Sequence, residues 1–265
     1  VETALLAMIV IGGSMLLASA GLLLIKLKYK NRGNKHNELG GYILSILGTL
    51  YAVTLGFVVV HVSDGVEQQS MVISAETNAL LNIYRYSSAL APSLEENVRL
   101  SCLAYSGAVA EKEWGLMPRG ILCSETWTAM DDIWKSIKAV HPESQQEQAI
   151  FSLMLENYNN LETARRSRLM AAASHVSPVL WSVIISGACI LVIFTYFFGS
   201  PSLIVQIAMT AMLSATLGLN VFLIMVDGSP FTGSFKIKPK PFLIARYILD
   251  HKGAMPSNGQ MKLEK

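Results

Sequence analysis

Four stretches of this chain, residues 4–25, 41–62, 176–198 and 202–226, contain no Asp, Glu, Lys or Arg. Each is long enough to cross a bilayer, because an α-helix rises about 1.5 Å per residue and about 20 apolar residues cover a hydrocarbon core about 30 Å thick. Soluble core helices are rarely so long and so free of charge. The pattern therefore implies a polytopic integral membrane protein, and it also narrows the mechanism. Ionisable side chains inside hydrocarbon mark proton relays and ion-coupled carriers. Without them, a channel-like pore, a passive assembly subunit or a sensor remains.

The 265 residues are 52% hydrophobic and 15% charged, which fits four spans and one polar insert. Residues 1–63 carry the first two spans, 64–173 a helical extramembrane domain, 174–226 the last two spans, and 227–265 a C-terminal tail. The insert holds 14 of the 19 acidic side chains. The first run lacks a basic segment before it, and its positive charges follow it, so it reads as a retained anchor rather than a signal peptide.

Charge counting along the loops points both ways. Lys26, Lys28, Lys30, Arg32 and Lys35 follow the first span, which by the positive-inside rule puts that loop in the cytoplasm and the insert outside. Arg165, Arg166, Arg168, Lys236, Lys238 and Lys240 lie near span ends on the opposite side and argue the reverse. First spans usually dominate, so the expectation leans to an extracytoplasmic insert. Cys102 and Cys123 fall in the insert; they read as two small buried thiols, or as a disulfide if the insert lies outside the cytosol.

The insert reads as all-α. Residues 62–86 continue the second span as one long helix with no Pro before Pro92. Ser93 with Glu96 has the spacing of a capping box and predicts a helix over about 94–114. Met117 to Gly120 reads as a turn, and Ser124 is placed to cap a helix carrying Trp127, Met130, Ile133, Trp134 and Ile137 at helical spacing. Ser144 with Glu147 offers a second capping box, opening a long helix toward Arg168. In the tail, residues 241–249 predict a short interfacial helix with Phe242, Leu243, Ile244 and Tyr247 toward lipid or protein.

Nothing in the sequence resembles an active site. There is no phosphate-binding glycine loop, no paired His at metal spacing and no closely spaced Cys pair, so the expectation is no enzyme, no cofactor, no metal and no nucleic-acid partner. The spans carry more information. Gln206, Thr210, Ser214 and Gly218 recur at four-residue spacing along one stripe of the fourth span. Ser45, Thr49, Ala52 and Gly56 make a small-residue stripe on the second span, while Thr54, Phe57 and His61 lie on another side. Such stripes serve close helix packing or line a pore, and both readings stand. A lumen lined by Thr49, Thr54, Phe57 and His61 would be neutral, with Phe57 as its constriction and His61 near its mouth as a source of pH dependence.

The run at residues 47–60, LGTLYAVTLGFVVV, resembles the signature of the bestrophin-like domain proteins of bacterial membranes. Ala75, Glu76, Ala79, Leu80, Leu81, Tyr84 and Arg85, then Glu113 with Trp114, residues 165–169, 178–181 and 194–199, and Pro230, Phe231 and Gly233 before Pro241 and Phe242, are similar to later landmarks in the same order. The resemblance implies two spans, a helical extramembrane domain and two more spans, in a homo-oligomer distantly similar to the bestrophin anion channels, in a bacterial inner (plasma) membrane. The acidic calcium clasp of animal bestrophins has no counterpart near Asp227, so calcium gating is not carried over. The function expected is a passive channel for small anions. The alternative is a non-catalytic scaffold or accessory subunit docked on a heterologous membrane complex, to which Trp114, Trp127 and Trp134 would equally suit the insert.

Overall fold

The computed structural model describes residues 2–28, 37–173, 176–198, 202–232 and 236–252. Helices α1 (Glu2–Lys28), α2 (Asn37–Ser87), α3 (Pro92–Ala108), α4 (Trp114–Leu116), α5 (Ser124–Lys138), α6 (Gln145–Ala173), α7 (Pro178–Tyr196), α8 (Leu203–Asp227) and α9 (Lys240–Asp250) follow in chain order, with no strand among the described residues. Four of them, α1, α2, α7 and α8, are long and apolar enough to cross a membrane. The protein is thus an all-α integral membrane protein with two spans on each side of a helical insert. Residues 30, 32 and 35 of the basic loop lie outside the described residues, as does Gly233.

The chain divides into two compact units. The first comprises residues 1–66 and 175–236 and the second residues 67–174 and 237–265. The tail is therefore split between them. At 51 residues and about 75 Å, α2 contributes its first part to one unit and its last part to the other.

In the first unit α1 runs along α8, and α2 packs on α7. Leu55, Val58 and Val62 of α2 meet Ile184 of α7 and Ile224 of α8 in a small buried cluster. Apolar burial supplies little drive inside lipid, so close approach and hydrogen bonds between helices carry more of the association. The structure repeats one device for this. Tyr51 donates its hydroxyl to the Ile184 carbonyl at 2.6 Å, and Gly187, three residues on, leaves room for the ring. Tyr196 donates to the Ala18 carbonyl at 2.8 Å, with Gly21 in the corresponding place. Between α1 and α8, Ser14 and Ser214 each donate to the other's backbone carbonyl, at 3.1 and 2.8 Å, beside Gly218.

The second unit has an ordinary apolar core: Ile73, Leu80 and Ile83 of α2, Val98 and Cys102 of α3, Ile133 and Ile137 of α5, and Met154 and Leu161 of α6 are fully buried. Ser144 caps α6 by accepting from the Glu147 amide at 3.1 Å, while the Glu147 carboxylate accepts from the Glu143 amide at 2.8 Å. Two other expected caps are corrected. Pro92 is the first residue of α3, so Ser93 lies inside the helix and Glu96 pairs with Arg99 instead; a proline fits that position because the amide it lacks would have no partner there. Helix α5 starts at Ser124, behind Cys123, with no side-chain cap. The helix expected over 94–114 is interrupted by a π-turn, Val109–Glu113, and the turn after it closes on Gly120 at φ +69°.

The short helix expected over residues 241–249 is present as α9, and part of it meets protein. Helix α9 buries Phe242, Ala245 and Leu249, and it packs on α3 within the second unit. Arg99 donates to the Leu249 carbonyl at its C-terminal end, and Arg246 pairs with Glu111. Of the residues expected on its apolar side, Phe242 is buried in this packing, Ile244 and Tyr247 are half-buried and Leu243 is exposed.

Cys102 and Cys123 are free thiols, and burial pushes the Cys102 thiol well up from its ordinary value. Cys102 should stay unmodified when the folded protein is treated with maleimide and become modified on unfolding, as read by intact mass.

Candidate functional site

The two polar stripes of the spans have opposite fates. On α8, Gln206, Thr210, Ser214 and Gly218 are all buried. Ser214 and Gly218 lie against Ser14 and Ile11 of α1. Thr210 meets the Thr195 hydroxyl at 3.3 Å, and Gln206 donates to the Phe198 carbonyl at 2.8 Å. On α2, Ser45, Thr49, Thr54, Gly56, Phe57 and His61 are all exposed. The Thr49 and Thr54 hydroxyls donate back to the Ser45 and Leu50 carbonyls of their own helix. Phe57 is 74% exposed, and a Cβ on Gly56 would meet nothing within 4 Å.

The division on α2 follows from helical geometry. Tyr51, Leu55, Val58 and Val62 recur at three- and four-residue spacing and take the side against α7. Ser45, Thr49 and Gly56 lie together on one flank of the exposed arc, and Phe57 and His61 on the other, with Thr54 beyond them. Among the described residues nothing covers this arc. Ser63, at the end of the span, donates to the Asp227 carboxylate at 3.2 Å and ties α2 to the end of α8.

The extramembrane unit contains a charged cluster whose members are scattered along the sequence. Arg168 of α6 is completely buried, and its guanidinium donates to both oxygens of Glu76 on α2, at 2.7 and 2.9 Å, and to Glu113 at 2.7 Å. Arg165 donates to the other oxygen of Glu113 at 2.7 Å, and Tyr105 of α3 donates to Glu76 at 2.6 Å. Glu76 and Glu113 are also fully buried. The π-turn helps here, since Glu113 ends it and is buried from that position. Trp114 and Phe242 flank the Arg168 guanidinium, with ring centroids 5.6 and 5.5 Å from it.

Two carboxylates and two guanidiniums make this cluster formally neutral, which is what a dry interior requires. Burial alone would lower the Arg168 pKa, but the charge and hydrogen bonds of Glu76, with Tyr105 and Glu113, outweigh it and hold the guanidinium charged. The Tyr105 hydroxyl is pushed far up by burial and by the adjacent Glu76, so it remains a donor. The arrangement has no open coordination position and no nucleophile. Among the described residues no group of His, Cys, Asp or Glu is placed to hold a metal ion.

A signal for this cluster was present. Glu76 interrupts the buried face formed by Ile73, Leu80 and Ile83, and Arg165 and Arg168 continue the face of Leu161 and Ala172. A charged residue at core spacing implies a charged partner at core depth.

Comparison with known proteins agrees with the architecture. Structures of a bacterial bestrophin homologue from Klebsiella pneumoniae superpose on this chain despite low identity. One point variant gives a TM-score of 0.68 at 13% identity and covers 90% of this chain and 98% of its own. A second gives 0.69 at 14% identity over 92% and 99%, and the form solved by zinc phasing gives 0.67 at 14% over 92% and 98%. No curated protein sequence is significantly similar. The profile of the Bestrophin-like domain matches residues 12–242, most of the chain. With the order of spans and insert, this match establishes that the chain belongs to the bestrophin-like domain family.

Proposed function

We propose that the protein is a subunit of a homo-oligomeric passive pore for small anions, with copies of α2 around the axis, in the inner membrane of a bacterium. The observation that carries this reading is the uncovered arc of α2, where Thr49, Thr54, Phe57 and His61 are exposed while the opposite side is packed on α7. An imidazole facing hydrocarbon is costly. A ring of copies turns the arc onto a lumen instead. Phe57 from each copy would then form an apolar constriction that gates by dewetting, between the threonine hydroxyls on one side and His61 on the other. The sign of the permeant ion follows from the family resemblance. Asp64, exposed one turn beyond His61, makes a cation the outcome against which this is tested.

Purified protein in planar bilayers should conduct, with a reversal potential that follows an imposed chloride gradient. A potential that follows the potassium gradient keeps the pore and overturns the anion. Phe57→Ala should raise the unitary conductance and weaken closure. Unchanged conductance in that variant would place the constriction elsewhere, and silence under every gradient would sink the pore reading in favour of a scaffold.

A further inference from the structure

The first unit contains a cleft of about 360 Å³ between α1, α7 and α8 that the pore reading does not use. Its walls include Ser14 and Ala18 of α1, Ala188 and Cys189 of α7, and Leu217 and Gly218 of α8, and none of its lining residues is charged. It exists because α1 lies close along α8 but touches α7 sparingly. Small side chains on all three helices then leave the space unfilled. Leu17 on one rim and Ile185 and Ile193 on the other are exposed, so the cleft opens on the outer surface of the spans.

We infer that this cleft is a binding site for one hydrocarbon chain of a bilayer lipid. The volume would hold several waters, each occupying about 30 Å³, but a buried water needs two to four polar partners. The hydroxyl donors in the walls are already spent, and the Cys189 thiol is only a weak donor. Ser14 and Ser214 donate to each other's backbone, and Tyr196 donates to the Ala18 carbonyl. A charged or strongly polar ligand finds no counter-charge. What surrounds these charge-free spans is acyl chain, and apolar cavities bind apolar molecules through dispersion contacts with walls that otherwise have none. A chain lying in the cleft would fill the gap between α1 and α7 and so support their separation. This site is independent of conduction.

The test uses the full-length protein in vesicles doped with a phosphatidylcholine carrying a diazirine along one acyl chain, with adducts mapped by mass spectrometry after illumination. Adducts should concentrate on the cleft walls in α1 and α7, saturate with probe, and be lost in Ala188→Trp, which fills the cleft. Val183→Trp, exposed on α7 but outside the cleft, should leave them unchanged. If Ala188→Trp does not fold, Ile185→Trp at the rim serves the same comparison. Adducts spread evenly over the exposed faces of all four spans, and indifferent to the filling variants, overturn the site. So does efficient copy-to-copy cross-linking at Cys189 with no lipid adducts in the cleft, which would give the space to a neighbouring copy.

Discussion

Arg168→Met is expected to destabilise the extramembrane unit by about 3–5 kcal/mol, because it removes the central cation and leaves two buried carboxylates short of partners. Glu76 would keep only the Tyr105 hydroxyl and Glu113 only Arg165. Against a typical domain stability of about 5–15 kcal/mol, a loss of this size is a large share of the total. Thermal unfolding should fall markedly, and amide exchange in the second half of α2 and in α6 should accelerate before the spans respond. The double variant Glu76→Leu with Arg168→Met tests the cause. It removes one charge of each sign and leaves the Glu113–Arg165 pair, so it should recover much of the stability, since apolar replacement of a buried pair is often neutral. A single Arg168→Met protein as stable as the parent would show that the cluster contributes nothing to holding these elements together.

Gly187→Ala is expected to cost about 1–3 kcal/mol by overpacking. An added Cβ would run into the Tyr51 ring. That ring cannot simply swing aside, because its hydroxyl is held by the Ile184 carbonyl one turn away. Either the hydrogen bond breaks or α2 and α7 separate. Gly48→Ala on α2 is the control, since a Cβ there meets nothing within 4 Å, and it should leave stability in detergent almost unchanged. Tyr51→Phe should cost less than Gly187→Ala, about 0.5–1.5 kcal/mol for one neutral hydrogen bond. If the two glycine substitutions behave alike, the close approach of α2 and α7 is not what joins them.

The spans were legible because they depend on a one-dimensional property. A charge-free run of sufficient length has one stable environment, whatever lies beside it. The cap at Ser144 was legible for a similar reason, since the residues that satisfy the first turn of α6 are its immediate neighbours. Ser93 and Ser124 carried the same kind of signal but did not become caps. At α3 the proline one residue earlier took the first helical position, and at α5 the helix began one residue sooner than a Ser124 cap requires. The end of α3 is not legible in sequence because a π-turn keeps helical periodicity nearly intact while adding a residue, and pattern alone cannot detect that.

The candidate site was legible in its residue types and only partly in its geometry. Periodicity separated the small stripe of α2 from Phe57 and His61, but it could not say which side of the helix its own chain would cover. The stripe of α8 looked equivalent in sequence, yet α1 and the end of α7 enclose it. Nothing local to either helix distinguishes them, because the distinction lies in which helix comes to rest alongside.

Four charge-free helical spans, an inserted helical domain and the family are all readable from the order of residues alone. Those properties follow from length, hydropathy and the order of short motifs, all of which are fixed before any long-range contact forms. Folding in three dimensions is what brings Glu76, Glu113, Arg165 and Arg168 into one neutral buried cluster, packs α9 on α3, encloses the polar stripe of α8 and leaves the arc of α2 open. These outcomes join residues up to 200 positions apart, and their energies depend on distance, burial and the charge of the partner. None of that is a property of a residue or of its neighbours in the chain.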